Sequence, residues 1–173
     1  MTRVAAIVLA AGEASRFGGP KQNLLLPHVL GRLGRTAVDE IVVVAGAHPL
    51  EIALDTVSHG VLRVVQCEEW TRGPGASLRC ALAMLADDVD AAVVVLADGP
   101  DLSPHAVERV LEEWHTSGGV AAASYDGVRG HPLVLGRGDW HGIPDEGLRD
   151  RPVRLVPCDD LGAPGDVDTT DDL

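Results

Sequence analysis

The stretch that decides the fold is Arg3-Val-Ala-Ala-Ile-Val-Leu-Ala10, running into Ala11-Gly-Glu-Ala-Ser-Arg16-Phe-Gly-Gly-Pro-Lys21-Gln22. A short run that is apolar nearly throughout reads as a strand covered on both faces. It breaks into a glycine-rich loop carrying one Arg and one Lys. Small residues let backbone N–H groups approach an anion, and two cations neutralise it, so the loop reads as a phosphate cradle at a strand's carboxyl end. Its wording excludes two commoner phosphate loops. A P-loop needs Gly-Lys-Ser/Thr, but Lys21 follows Pro20 and precedes Gln22; a dinucleotide fingerprint needs Gly-x-Gly-x-x-Gly, but Glu13 and Ala14 follow Gly12. An ordinary glycine-rich β–α turn is the plain alternative.

Working outward, residues 4–10, 41–45, 62–65 and 91–97 read as strands, and 48–57, 76–86 and 103–115 as helices. Ser103-Pro104 places a cap before proline at the first helical position, and Val107, Val110, Leu111 and Trp114 share one face. Leu78, Leu82 and Leu85 keep helical spacing in the preceding stretch. This alternation predicts an α/β fold with a doubly wound, mostly parallel sheet and right-handed crossovers. Ligands of such sheets bind beyond the carboxyl ends of the strands, where both the loop at 11–22 and Asp98 fall. After residues 120–124 a turn at 125–130 leads to 131–135, which predicts a small antiparallel addition near the C-terminal third. Residues 136–152, rich in Gly, Pro and charge, read as irregular, and a short apolar piece follows at 153–156.

The bulk numbers agree. A chain of 173 residues reads as a single domain spanning 1–173, long enough to bury about two-thirds of its unfolded surface. Aromatics are only 3%, so the core must be aliphatic, as suits a parallel sheet under helices. The formal charge of −12 repels nucleic-acid backbones and argues against a polymeric nucleic-acid partner. A small anionic substrate stays open where cations gather in one loop, as Arg16 and Lys21 do. Cys67, Cys80 and Cys158 show neither a disulfide framework nor zinc spacing and read as buried small hydrophobes. Met-Thr-Arg-Val leads straight into the first strand, leaving no room for a signal peptide, and the apolar runs are too short to span a membrane. A cytoplasmic enzyme or binding domain is expected.

The pattern Leu9-Ala10-Ala11-Gly12-x-x-x-Arg16-Phe-Gly18-x-x-Lys21 resembles the signature of nucleotidyltransferases with a GT-A-like fold, in particular the molybdenum-cofactor nucleotidyltransferases (the MobA-like NTP transferase domain). Four further segments follow in the family's order. Glu69-Trp70-Thr-Arg-Gly73-Pro-Gly75-Ala-Ser77-Leu78-Arg79 resembles the segment that opens a helix over the nucleotide base. Val93-Val-Val-Leu-Ala-Asp98-Gly-Pro100 resembles the metal-binding strand end, and Gly130-His131-Pro132 the turn near the acceptor. Asp166-Val-Asp168-Thr-Thr-Asp-Asp-Leu173 resembles the closing carboxylate motif.

The resemblance implies transfer of a nucleoside monophosphate from a triphosphate to a phosphorylated acceptor such as the molybdopterin cofactor, with release of pyrophosphate. Two anions must meet, so Mg²⁺ is implied, held by Asp98 and Asp168. Arg16 and Lys21 would hold the triphosphate and stabilise the developing charge. Leu9, Ala10, Ala11, Gly12, Gly75 and Ser77 would line the nucleotide, with His131 on the acceptor side. Leu-Ala-Ala-Gly, with Ala at position 11, is similar to the cytidylyltransferase branch and favours CTP. A molybdenum enzyme is an implied protein partner.

Plainer readings stand beside these. Asp98-Gly-Pro-Asp101 is also a good turn, the acidic tail a solvated terminus, Ser77 a helix-opening residue, and His131 a structural residue before proline. Trp70, Trp114 and Trp140 read as partly buried packing residues. The chain departs from the family pattern after Lys21, where several residues are missing and the helical stretch follows almost directly. The acceptor loop expected near 140–150 is degenerate as Ile143-Pro-Asp-Glu-Gly-Leu-Arg149. A catalytically impaired nucleotide-binding module acting in molybdenum-enzyme maturation is therefore the second reading, and a sugar-phosphate nucleotidyltransferase the third.

Overall fold

A computed structural model of the chain describes residues 1–12, 21–52 and 60–165, with Lys21 and Gln22 described in backbone only. The strands are β1 (Val4–Ala10), β2 (Glu40–Ala45), β3 (Val61–Gln66), β4 (Ala91–Leu96), β5 (Val120–Tyr125), β6 (Val128–Gly136) and β7 (Arg154–Pro157). The helices are α1 (Lys21–Leu33), α2 (Pro74–Leu82) and α3 (Pro104–Ser117). All seven strands join one sheet in the order β3-β2-β1-β4-β6-β5-β7. β1 pairs in parallel with β2 and β4, β2 with β3, and β5 with β7, while β6 runs antiparallel to both β4 and β5. The antiparallel addition is thus a single reversed strand inside the main sheet.

The alternation of side chains along β1 divides the core. Val4, Ala6, Val8 and Ala10 join Leu26, Val29, Leu30 and Leu33 of α1 and Ala106, Val107 and Val110 of α3. Ala5 and Ile7 face the other way, onto Leu78, Ala81 and Leu82 of α2. Burial on both faces is why β1, β2 and β4 are apolar throughout. The edge strand β3 is the exception, with Val61 and Val64 about half exposed.

Four expectations are corrected. Residues 48–52 are not helical, because Pro49 interrupts them and Asn23 takes their backbone groups: its side-chain amide donates to the Pro49 carbonyl at 3.2 Å, and its Oδ1 accepts from the Glu51 N–H at 2.9 Å. Residues 53–57 of that stretch lie outside the described residues. α2 ends at Leu82, short of residue 86, and Arg137 donates to the Ala86 and Val89 carbonyls in the loop beyond. Cys67, at the end of β3, forms a disulfide with Cys80 of α2, with the Cα atoms 5.9 Å apart. The two are 13 residues apart in sequence, and the return of α2 over the sheet brings them together. Cys158 is a buried free thiol, as expected. Gly130-His131-Pro132 lies inside β6 rather than in a turn, with a cis peptide between His131 and Pro132.

No helix among the described residues is long and apolar enough to cross a membrane. Trp70, Trp114 and Trp140 are partly buried, as expected.

Candidate active site

The site is built at the carboxyl ends of β1 and β4. Leu9 pairs with Leu96, and the Ala97 N–H donates to the Leu9 carbonyl at 3.1 Å. Ala11–Gly12 and Asp98 leave the sheet side by side. Ala10 and Ala11 are buried, Leu9 is partly buried, and Gly12 is exposed. The Ala11 methyl is packed into the core toward Gly46, where an added Cβ would stand 2.8 Å from it and 2.7 Å from Trp70. Arg16 and Asp168 lie outside the described residues, as does the side chain of Lys21. The backbone of Lys21 opens α1, in agreement with the short segment noted in the sequence.

α2 approaches from the neighbouring side. Its N-cap is Gly73, with φ +133°, and Pro74 occupies the first helical position. Ser77 is buried inside the helix, so the helix-opening reading belongs to Gly73 instead. Gly75 has a steric reason to be glycine: an added Cβ would sit 1.7 Å from the Pro144 carbonyl oxygen. The Gly75 N–H donates to the Asp145 carbonyl at 2.8 Å. The loop expected to face the acceptor is thus laid across the N-terminus of α2. Arg79 holds it by donating to the Ile143 carbonyl at 2.7 Å and to Asp145 Oδ1 at 2.5 Å, and Arg72 adds an ion pair to Asp145 at 3.1 Å. These guanidinium bonds, Arg79's first, hold the Asp145 carboxyl below its ordinary range.

Next to Asp98, at Leu96 and Gly99, lies a cavity of about 420 Å³. Its apolar walls come from Val95, Leu96, Leu102, Tyr125 and Pro164, and it is also lined by Arg129 and His131. These two line the cavity from positions two residues apart on β6, where the register against β5 shifts. The antiparallel register Val94↔Leu133 leads β6 back toward the Asp98 end of β4. Burial pushes the His131 imidazole down to about 4, helped by the Arg129 charge and opposed by Asp98. His131 is therefore neutral at pH 7. The Tyr125 hydroxyl donates to the His131 carbonyl at 2.9 Å, and burial raises its pKa to about 12.

The chain returns to Asp98 at its end. The Asp101 N–H donates to the Pro164 carbonyl at 2.9 Å, and an added Cβ on Gly99 would stand 3.0 Å from the Pro164 side chain. Among the described residues no group of three or more potential metal ligands gathers. Asp98, partly buried at its strand end, is a hard oxygen donor of the type divalent cations accept. Motif reading missed Arg72, Arg79, Arg129, Tyr125 and Asp145. The alternation Arg129-x-His131 was the one local signal for any of them.

A family model described as the MobA-like NTP transferase domain matches residues 6–156. The chain belongs to the MobA-like NTP transferase family. It is similar to Rv0371c from Mycobacterium tuberculosis H37Rv, with 28% identity and a TM-score of 0.78 over 99% of this chain and 95% of that one. Rv0371c in complex with manganese matches at 28% identity and a TM-score of 0.72, over 99% and 96% of the two chains. The bifunctional protein GlmU of Rubrobacter xylanophilus is 29% identical over 140 residues, which take in 76% of this chain and 29% of that protein's length. The chain therefore spans under a third of the curated relative it matches. A nucleotidyltransferase fold is what the family and the geometry agree on.

Proposed function

We propose that the chain transfers a nucleoside monophosphate, from CTP by preference, to a small phosphorylated acceptor of the molybdopterin class. The observation that carries this reading is the position of Asp98. It follows the end of β4, beside the end of β1 that leads into Ala11–Gly12, and its neighbours Leu96 and Gly99 line the cavity. A triphosphate over β1 and an acceptor in the cavity meet at that carboxylate.

Leu9 to Gly12 would bring backbone N–H groups to the phosphates, and Arg16 and Lys21 would add charge that strengthens as pyrophosphate departs. Gly75 and Ser77 would lie beside the base and His131 beside the acceptor. An acceptor phosphate oxygen forms the new bond to the α-phosphorus, and the bond from that phosphorus to the β-phosphate bridge oxygen breaks. Mg²⁺ held by Asp98 and Asp168 would neutralise charge on both phosphate groups. No covalent nucleophile is required.

The second reading, a nucleotide-binding module impaired in turnover and acting in molybdenum-enzyme maturation, is favoured by the start of α1 at Lys21. The test is pyrophosphate release with Mg²⁺, each of the four triphosphates and candidate acceptors. Release with CTP supports transfer. Tight nucleotide binding without release under any pairing supports the module.

A further inference from the structure

An arginine, Arg129, lines the cavity beside Asp98. Among the described residues Arg3 pairs with Asp88, Arg63 with Glu40, Arg72 and Arg79 with Asp145, Arg109 with Asp160 and Arg154 with Glu113, while Arg137 and Arg151 donate to backbone carbonyls. Arg129 has no carboxylate within ion-pair distance among the described residues. Its hydrogen bonds among them both leave from Nη1, to the Arg149 and Arg151 carbonyls at the long distances of 3.5 and 3.3 Å. Nη2 and Nε donate to no described residue. The guanidinium is partly buried, and burial alone pushes its pKa down. It is the one guanidinium or ammonium lining a cavity whose other walls are largely aliphatic and aromatic. A partly buried guanidinium in largely apolar surroundings, with two nitrogens that donate to no described residue, is suited to an oxyanion.

We propose that Arg129 is the acceptor's anion anchor, holding through Nη2 and Nε a phosphomonoester whose apolar ring fills the cavity. This rests on the transfer reading above for its place in a reaction, but not for its binding. Arg129 then selects against acceptors that lack the phosphate, and it positions the acceptor's oxyanion on the cavity side of Asp98. Tyr125, packed against Gly130 with an added Cβ there only 3.0 Å from its ring, keeps that stretch of β6 narrow. The aliphatic walls take the body of the ligand.

The probe is phenyl phosphate, with phenol and inorganic phosphate as separate arms, measured by calorimetry on the full chain. Wild type binds phenyl phosphate saturably and phenol not at all. Inorganic phosphate binds more weakly, for want of the ring. Arg129→Gln weakens phenyl phosphate at least about tenfold while leaving the dissociation constant for CTP unchanged. Arg129→Lys, which keeps the charge but not the planar fork, falls between them. Should Arg129→Gln fail to fold, Arg129→Lys against wild type decides. Equal affinity in wild type and the folded variants, or no saturable binding by wild type at millimolar concentrations, overturns the proposal. Where transfer is observed, the Gln variant raises KM for the acceptor and leaves KM for CTP alone; an unchanged acceptor KM overturns the anchor and leaves the transfer reading standing. Arg129-dependent phenyl phosphate binding without any pyrophosphate release does the reverse.

Discussion

Arg79 and Asp145 form a two-point clasp. Nη2 of Arg79 donates to Asp145 Oδ1 at 2.5 Å while Nη1 donates to the Ile143 carbonyl at 2.7 Å, so one guanidinium binds both the side chain and the backbone of a loop 64 to 66 residues away in sequence. The loop is thereby fastened over the start of α2. Removing the carboxylate charge in Asp145→Asn should lower the melting temperature at pH 7. Asp145 is held below its ordinary range, so its contribution is complete above the unfolded value and is lost as pH falls through the lower folded value. The gap between variant and wild type should close below about pH 4. Thermal melts between pH 7 and 3 check this, and a gap that stays constant contradicts it.

Gly75→Ala tests the same contact sterically. The added methyl meets the Pro144 carbonyl oxygen and the Gly147 nitrogen, both backbone, so the loop must lift. A loss of about 1–3 kcal/mol is expected in urea unfolding. Gly31 in α1 is the counterpart, since an added Cβ there meets nothing within 4 Å. Gly31→Ala should gain about 0.5–1 kcal/mol from helix propensity. Equal effects at the two sites would remove the steric account.

At the amino ends of the strands, Glu40 is 2% exposed and takes an ion pair from Arg63 at 2.5 Å, with Arg3 at 4.0 Å. Arg63→Ala leaves this buried carboxylate with the distant Arg3, at an expected cost of about 1–2 kcal/mol after allowing for the partial exposure of Arg63. The pair sits at the opposite end of the sheet from Asp98. CTP affinity, measured alongside denaturant unfolding, should not change.

The disulfide predicts a thiol count. Denatured without reductant, the chain should show one reactive thiol, from Cys158, and after reduction three. Titration with a chromogenic disulfide reads both numbers. Three thiols before reduction would contradict the pairing.

What the sequence made legible follows from where burial was uniform. β1 was read to its last residue because both its faces are covered, which leaves an unbroken apolar run bounded by polar residues and glycine. α3 was read nearly to its ends because Ser103-Pro104 marks its start and a single face is apolar. The strand-end position of Asp98 followed directly from the run before it. Contacts across long separations were not legible. Nothing local announces that Cys67 meets Cys80, that Asn23 captures the backbone near Pro49, or that the loop at 143–147 packs on the start of α2. In the last case the two glycines at 73 and 75 were visible, but their reason, close backbone approach, requires the partner loop to be seen.

The most direct measurement is pyrophosphate release from CTP with Mg²⁺ and a phosphorylated acceptor, comparing wild type with Asp98→Ala at matched folded concentration. The account predicts release by wild type and a loss of at least about a hundredfold in the variant, with the melting temperature little changed. Undiminished release by Asp98→Ala would contradict it, because the carboxylate that follows the end of β4 would then take no part in the transfer.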